Sequence, residues 1–230
     1  MSNILIVESK NDKIFMEALI NELNYNIQVD APICIDDYEC LNGLSKESLT
    51  GALKELKAEI QKRDIQKVGI IIDIDNDTPE ERINFVNDSI NNVFHNEEKL
   101  LTTGIFLDIP IEDGESLKLT CYFTNVDGKG ELETVLKSIK AKDSIYADCL
   151  DSWKLCIENQ GKKINQKEFD KFWISTYLKF DTCSKKEKGR SEKKCSMAGF
   201  DYIMTEKRQI WDFSHPILED LKNFLKLFRD

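Results

Sequence analysis

Hydrophobic positions follow two rhythms along the chain. Ile4, Leu5, Ile6 and Val7 form an unbroken apolar run closed by Glu8, and Val68, Gly69, Ile70, Ile71 and Ile72 form another closed by Asp73. Runs of this kind predict strands buried on both faces of a parallel sheet. Between them Ile14, Phe15, Ala18, Leu19 and Leu23 recur at helical spacing and residues 27–35 read as a strand. Leu49, Leu53, Leu56 and Ile60 then mark an amphipathic helix that Ser45 can cap. The alternation is βαβαβ, which calls for a parallel sheet with right-handed crossovers. Thr78, Pro79 and Glu81 can serve as N-cap, first helical residue and capping-box partner of a helix buried through Ile83, Val86, Ile90 and Val93. Strands near 104–109 and 117–123 follow, separated by a turn at Glu112, Asp113 and Gly114. Gly128, Lys129 and Gly130 precede a helix beginning at Glu131.

Beyond about residue 141 the strand rhythm fades into helices, with Phe169, Phe172, Trp173 and Tyr177 on one face and Leu218, Leu221, Phe224, Leu225 and Phe228 on another. The reading is an α/β sheet domain over residues 1–140 and a helical extension over 141–230 packed on the same core. A chain of 230 residues can bury such a core without staples. No apolar run approaches the roughly 18 residues of a membrane span. The first 20 residues lack the basic start and small-residue cleavage site of an export signal, so the expected setting is the cytoplasm. The seven cysteines show no C-x-x-C pair or zinc-ligand spacing and read as reduced thiols.

The net charge of −10 argues against a protein that coats nucleic acid by charge alone. Positive charge is nevertheless gathered at Lys185, Lys186, Lys188, Arg190, Lys193 and Lys194, beside Gly189 and Ser191. Two readings stay open for this segment: a solvated loop, or an arm that grips phosphate through Lys185, Lys186, Lys188 and Arg190.

The acids carry the sharper signal. In open parallel sheets the functional crevice lies at the carboxyl ends of the strands. Glu8 and Asp73 stand at such ends, and Asp75 follows two residues on. Carboxylates crowded there repel one another unless a cation offsets them, and hard oxygen ligands suit Mg2+ or Mn2+. Asp12 can reach the same point or act as the capping-box partner of Ser9, whereas Asp77 reads as a helix-start acid. An EF-hand loop beginning at Asp73 fails, since Thr78 and Asn84 stand where Gly and Glu are needed. A haloacid-dehalogenase-type motif fails at Asp77 and leaves Glu8 unexplained. His95 and His215 read as structural.

A strand ending in Glu8, followed four residues on by Asp12, and a later strand ending in Asp73-Ile74-Asp75 resemble the Toprim domain of topoisomerases, primases and OLD-type nucleases. The spacing of Glu8 and Asp12 is most similar to the OLD-type nucleases, and the segment 211–216 is similar to small stand-alone Toprim-like proteins. The resemblance implies a Rossmann-like, mainly parallel sheet and metal-dependent phosphodiester hydrolysis. It also implies a later glutamate, with Glu133 first choice and Glu131 second, and a late lysine, best matched by Lys171. Ser9 stands where the family carries glycine. The implied ligands of two magnesium or manganese ions are Glu8, Asp12, Asp73, Asp75 and Glu133, with Lys171 facing the phosphate. The expected partner is DNA or RNA, cut by a chain that can assemble with itself. No G-x-x-x-x-G-K-[ST] signature is present, so an OLD-like role in phage defence would need a separate ATPase chain. Two alternatives stay open: a non-catalytic subunit docking a partner through its C-terminal amphipathic helix, and a small-molecule phosphatase.

Overall fold

The computed structural model describes residues 2–34, 43–111 and 115–229, without the side chains of residues 190 and 192. Ile35, Cys40 and the turn expected at Glu112, Asp113 and Gly114 lie outside the described residues. The chain is α/β: strands β1 (Ser2–Val7), β2 (Gln28–Val29), β3 (Ile65–Asp73), β4 (Leu107–Pro110) and β5 (Ser116–Thr124) form one sheet in the order β2-β1-β3-β5-β4. Every pairing is parallel except β4 with β5. The helices between strands are α1 (Lys10–Leu23), α2 (Lys46–Ile60) and α3 (Pro79–Phe94). After the sheet come α4 (Leu132–Ser138), α5 (Ile145–Asn159), α6 (Gln166–Thr176), α7 (Lys185–Arg190), α8 (Phe200–Glu206) and α9 (Glu219–Lys226).

Alternation within the strands sends their side chains to two hydrophobic layers. Ile4, Ile6, Val68, Ile70 and Ile72 meet Leu49, Leu53 and Leu56 of α2 and Val86, Ile90 and Val93 of α3. Leu5, Val7 and Ile71 face a larger layer built from α1, α4, α6, α8 and α9, including Phe15, Trp173, Phe200 and Phe224. The helices after residue 140 thus share a core with the sheet. Gly69 lets them approach: a Cβ there would sit 2.7 Å from both Leu5 Cδ2 and Phe228 Cζ. No helix among the described residues is long and apolar enough to cross a membrane.

Local expectations hold where side chains cap helices. Ser45 accepts from the Ser48 amide at the start of α2, and Thr78 and Glu81 form the capping box of α3 behind Pro79. His215 Nδ1 accepts from the Ile217 amide, as a cap does. Three expectations are corrected. The strand over 27–35 reduces to β2, because Pro32 has no N–H to continue the ladder. Pairing with β1 resumes only at the Ile33 and Cys34 amides, which donate to Val7 and Glu8. Phe172 does not join Phe169, Trp173 and Tyr177 in the core but is exposed, since the inward row of α6 advances by four and leaves Phe172 on its flank. Finally, Cys183 and Cys195 are joined in a disulfide, not reduced: α7 and the turn after it fold back until their Cα atoms are 5.8 Å apart, within bridging range.

Candidate metal centre

β1 and β3 are adjacent and parallel, with Val7 beside Ile71. Their carboxyl ends are therefore level, and Glu8 Oε2 accepts from the Asp73 amide at 3.1 Å. The chain then turns through Asp75, whose φ of +55° lies in the left-handed region tolerated by aspartate. Its backbone makes a two-way bridge with Gly130: the Asp75 amide donates to Gly130 O at 3.0 Å and the Gly130 amide to Asp75 O at 3.1 Å. This bridge pins the loop after β3 to the loop before α4 and sets Glu131 beside Asp75. Carboxylate oxygens of Asp73, Asp75 and Glu131 all lie within 4.8 Å of one another.

Asp12 joins from the first turn of α1. Its Oδ2 caps the helix by accepting from the Ser9 amide at 3.0 Å, while its Oδ1 is buried without a partner. The structural and chemical roles open for Asp12 thus fall on different oxygens. Asp73 Oδ1 and Glu131 Oε1 are likewise buried without a hydrogen bond.

Three cations border the cluster. Arg82 of α3 is buried and donates through Nε to the Asp73 carbonyl at 2.8 Å and through Nη2 to Asp75 Oδ2 at 3.0 Å. Its Nη1 lies 3.4 Å from Asp77 Oδ2, which places Asp77 at the rim. Lys167 of α6 stands between Asp75 Oδ1 at 2.8 Å and Glu131 Oε2 at 2.9 Å. Lys171, one turn further along α6, is 3.7 Å from Glu131 Oε2.

Negative charge remains in excess, and protonation equilibria register it. Burial, then the charges of Asp12, Glu8, Glu133 and Glu131, push Asp73 well above the usual carboxylate range. Burial and the charges of Asp12 and Asp75 lift Glu8 to about 7, against the hydrogen bond from the Asp73 amide. Burial and Glu131 lift Glu133 to about 7, opposed by Lys171. Asp12 is also raised, chiefly by burial. Lys167 moves the other way: burial disfavours its charge, but its contacts with Asp75 and Glu131 outweigh that and raise it. A cation would relieve this crowding as protons do.

A cavity of about 310 Å³ opens beside the cluster, lined among others by Asp75, Lys129, Glu131, Gln166, Lys167 and Asp170. A larger hollow, about 860 Å³, lies elsewhere, between α1 and residues 201–214. The smaller one is the one bordered by cluster carboxylates, those of Asp75 and Glu131.

A family model described as protein of unknown function (DUF3226) matches residues 2–230. The chain belongs to that family. Comparison with curated proteins and with solved structures gives no match.

Of the residues singled out in the sequence, the fold brings Glu8, Asp12, Asp73, Asp75 and Glu133 into one electrostatic group. Within it Glu131 shares the 4.8 Å cluster with Asp73 and Asp75, while Glu133 acts on Asp73 through its charge. Lys171 is present but more distant than Lys167. The lysines of α7 stand apart: Lys188 Nζ lies 4.9 Å over the Phe180 ring, and among the described residues no ion pair joins Lys185, Lys186 or Lys188 to the acidic cluster. The side chain of Arg190 lies outside the described residues. Lys167 and Arg82 were not singled out. Lys167 had a signal, being four residues before Lys171 and so on the same helix face, whereas Arg82 in an acidic first turn reads like any surface arginine.

Proposed function

We propose that the chain is a magnesium- or manganese-dependent hydrolase of phosphodiester bonds in nucleic acid, of the Toprim/OLD type. The observation that carries the reading is the set of buried carboxylate oxygens left without partners, on Asp12, Asp73 and Glu131, at the carboxyl edge of a parallel sheet. Hard, anionic oxygen donors converging with spare lone pairs fit a hard divalent cation, whereas a purely structural cluster of buried acids would be hydrogen-bonded throughout.

Asp73, Asp75 and Glu131 would hold the ion, with Glu8, Asp12 and Glu133 around it. Bound there, such an ion polarises a phosphoryl oxygen and lowers the pKa of water. Arg82 orients Asp75 from behind through its 3.0 Å contact and leaves Asp75 Oδ1 facing Lys167. Glu8 and Glu133, held near 7, are poised to accept a proton at neutral pH. Lys171 is half exposed in its side chain and can turn from Glu131 towards a phosphate. The Toprim/OLD resemblance further implies a separate ATPase partner and a part in phage defence. The docking alternative lacks its feature, since Leu221, Phe224 and Leu225 of α9 are buried in the core.

The test is to strip the protein with chelator and titrate magnesium and manganese calorimetrically into wild type and Asp73→Ala. Plasmid, single-stranded DNA and total tRNA are incubated in parallel with metal or chelator. Metal binding and metal-dependent cleavage in wild type, both lost in Asp73→Ala, are expected. Absence of metal binding in the folded wild type overturns the reading.

A further inference from the structure

α5 and α6 run as an antiparallel pair with an unusual outer surface. The α5 residues turned inward are Ala147 and, partly, Leu150, Lys154 and Ile157, while Tyr146 and Trp153 point out. Each outward ring meets one from the neighbouring segment: Trp153 lies 5.3 Å from Phe172 and Tyr146 lies 5.8 Å from Phe180. All four are exposed, at 40% for Trp153, 43% for Phe172, 60% for Tyr146 and 49% for Phe180. Seven residues separate Tyr146 from Trp153, so the two pairs stand roughly 10 Å apart along the helix.

The track has cations at both ends. Lys171 precedes Phe172 in sequence and reaches the acidic cluster, 3.7 Å from Glu131. At the far end Lys188 lies 4.9 Å over the Phe180 ring. In a chain of net charge −10, residues 162–194 hold 11 Lys and Arg against 5 Asp and Glu. Lysines among exposed rings do not suit the charge-depleted centre of a self-association interface. They do suit a single-stranded polyanion whose bases offer flat faces. The acids of α5, Asp148, Asp151 and Glu158, would confine such a strand to the α6 side, and Asp148 is already held by Lys140 at 3.0 Å.

We infer that single-stranded nucleic acid lies along α5 and α6, its bases stacked on the Trp153–Phe172 and Tyr146–Phe180 pairs and its backbone led by Lys188 and Lys171 to the carboxylate cluster. The inference rests on the hydrolase reading for what happens at the end of the track, but not for binding itself.

Binding is measured in EDTA by fluorescence anisotropy of labelled oligothymidine, oligouridine and a DNA hairpin duplex over a range of salt. Wild type should bind one or both single strands more tightly than the duplex, the two strands separating DNA from RNA as the source. Trp153→Ala/Phe172→Ala should bind roughly 10- to 100-fold more weakly, with its melting temperature kept. Lys188→Gln should lower the salt slope. The inference is overturned if wild type binds neither strand, or if the folded double variant binds as wild type does. It is also overturned if sedimentation shows a wild-type dimer that the double variant converts to monomer, which would make this face an interface between copies. Because metal is excluded, a failure to cleave or to bind metal sinks the hydrolase and leaves this result standing.

Discussion

Asp73 ends β3 and Asp170 sits in the middle of α6, and both carboxylates are buried. Asp170 accepts from Thr134 Oγ1 at 3.0 Å, Lys137 Nζ at 3.2 Å and Gln166 Nε2 at 2.9 Å. Asp73 has one oxygen with no partner and Asp12, Glu8, Glu133 and Glu131 for neighbours. A buried polar atom left unpaired costs about 1–3 kcal/mol, and like charges add to that. The fold supplies donors for one aspartate and withholds them from the other within the same helix-and-sheet junction. On the proposed reading, the difference separates a carboxylate that holds structure from one that would bind the ion.

Mutating the two in parallel puts the contrast under the largest strain. Asp170→Ala strands three donors and should cost roughly 2–4 kcal/mol in urea unfolding. Asp73→Ala should leave metal-free stability unchanged or higher, and the added stability from magnesium should vanish. Equal losses of stability in both variants would erase the distinction.

A pH series sharpens it next. Glu8 and Glu133 titrate near 7 in the fold and near 4.5 when unfolded. The unfolded chain gives up those protons first, so their contribution is fully present below about 4.5 and is lost as pH rises through about 7. Metal-free melting temperature should therefore fall across that window by at least a few degrees, and Glu8→Gln should flatten the fall. A melting curve rising over the same window would mean that the cluster is not crowded.

The smallest expected effect concerns Lys167, the cation shared by Asp75 and Glu131. Its side chain is about a third exposed, so its pairs are worth only about 1 kcal/mol after screening by solvent. Lys167→Met removes a competitor for the same oxygens and should tighten magnesium binding by roughly fivefold in calorimetry. Weaker binding would show instead that Lys167 assembles the ligands.

What could be read from the chain and what could not divide along the same physical line. Glu8 and Asp73 were legible because strands buried on both faces are continuous apolar runs, and a charge that ends such a run stands out. The capping boxes at Ser9 and Thr78 are local, three-residue chemistry and were equally legible. The place of Glu131 beside Asp75 was not legible, because it depends on the bridge between Asp75 and Gly130, a contact between loops more than fifty residues apart in sequence. Lys167 and Lys171 share a helix face, and which one is level with the acids depends on how far along its axis α6 docks. Phe172 was misplaced for a related reason, since helical spacing gives a face but not its partner, and the partner here is Trp153.

The missing side chain at Gly69 has a consequence for how the protein comes into being. The middle of the sheet is roofed by Phe224 and Phe228, and the last turn is stitched back to the first strands: Asn3 Nδ2 donates to Phe228 O at 2.7 Å and Lys67 Nζ to Leu227 O at 3.0 Å. During synthesis β1 and β3 emerge long before these rings, so the patch around Gly69 is the part of the sheet covered last. The strands that carry Glu8 and Asp73 thus depend on rings more than 150 positions after Gly69 to cover their apolar middle.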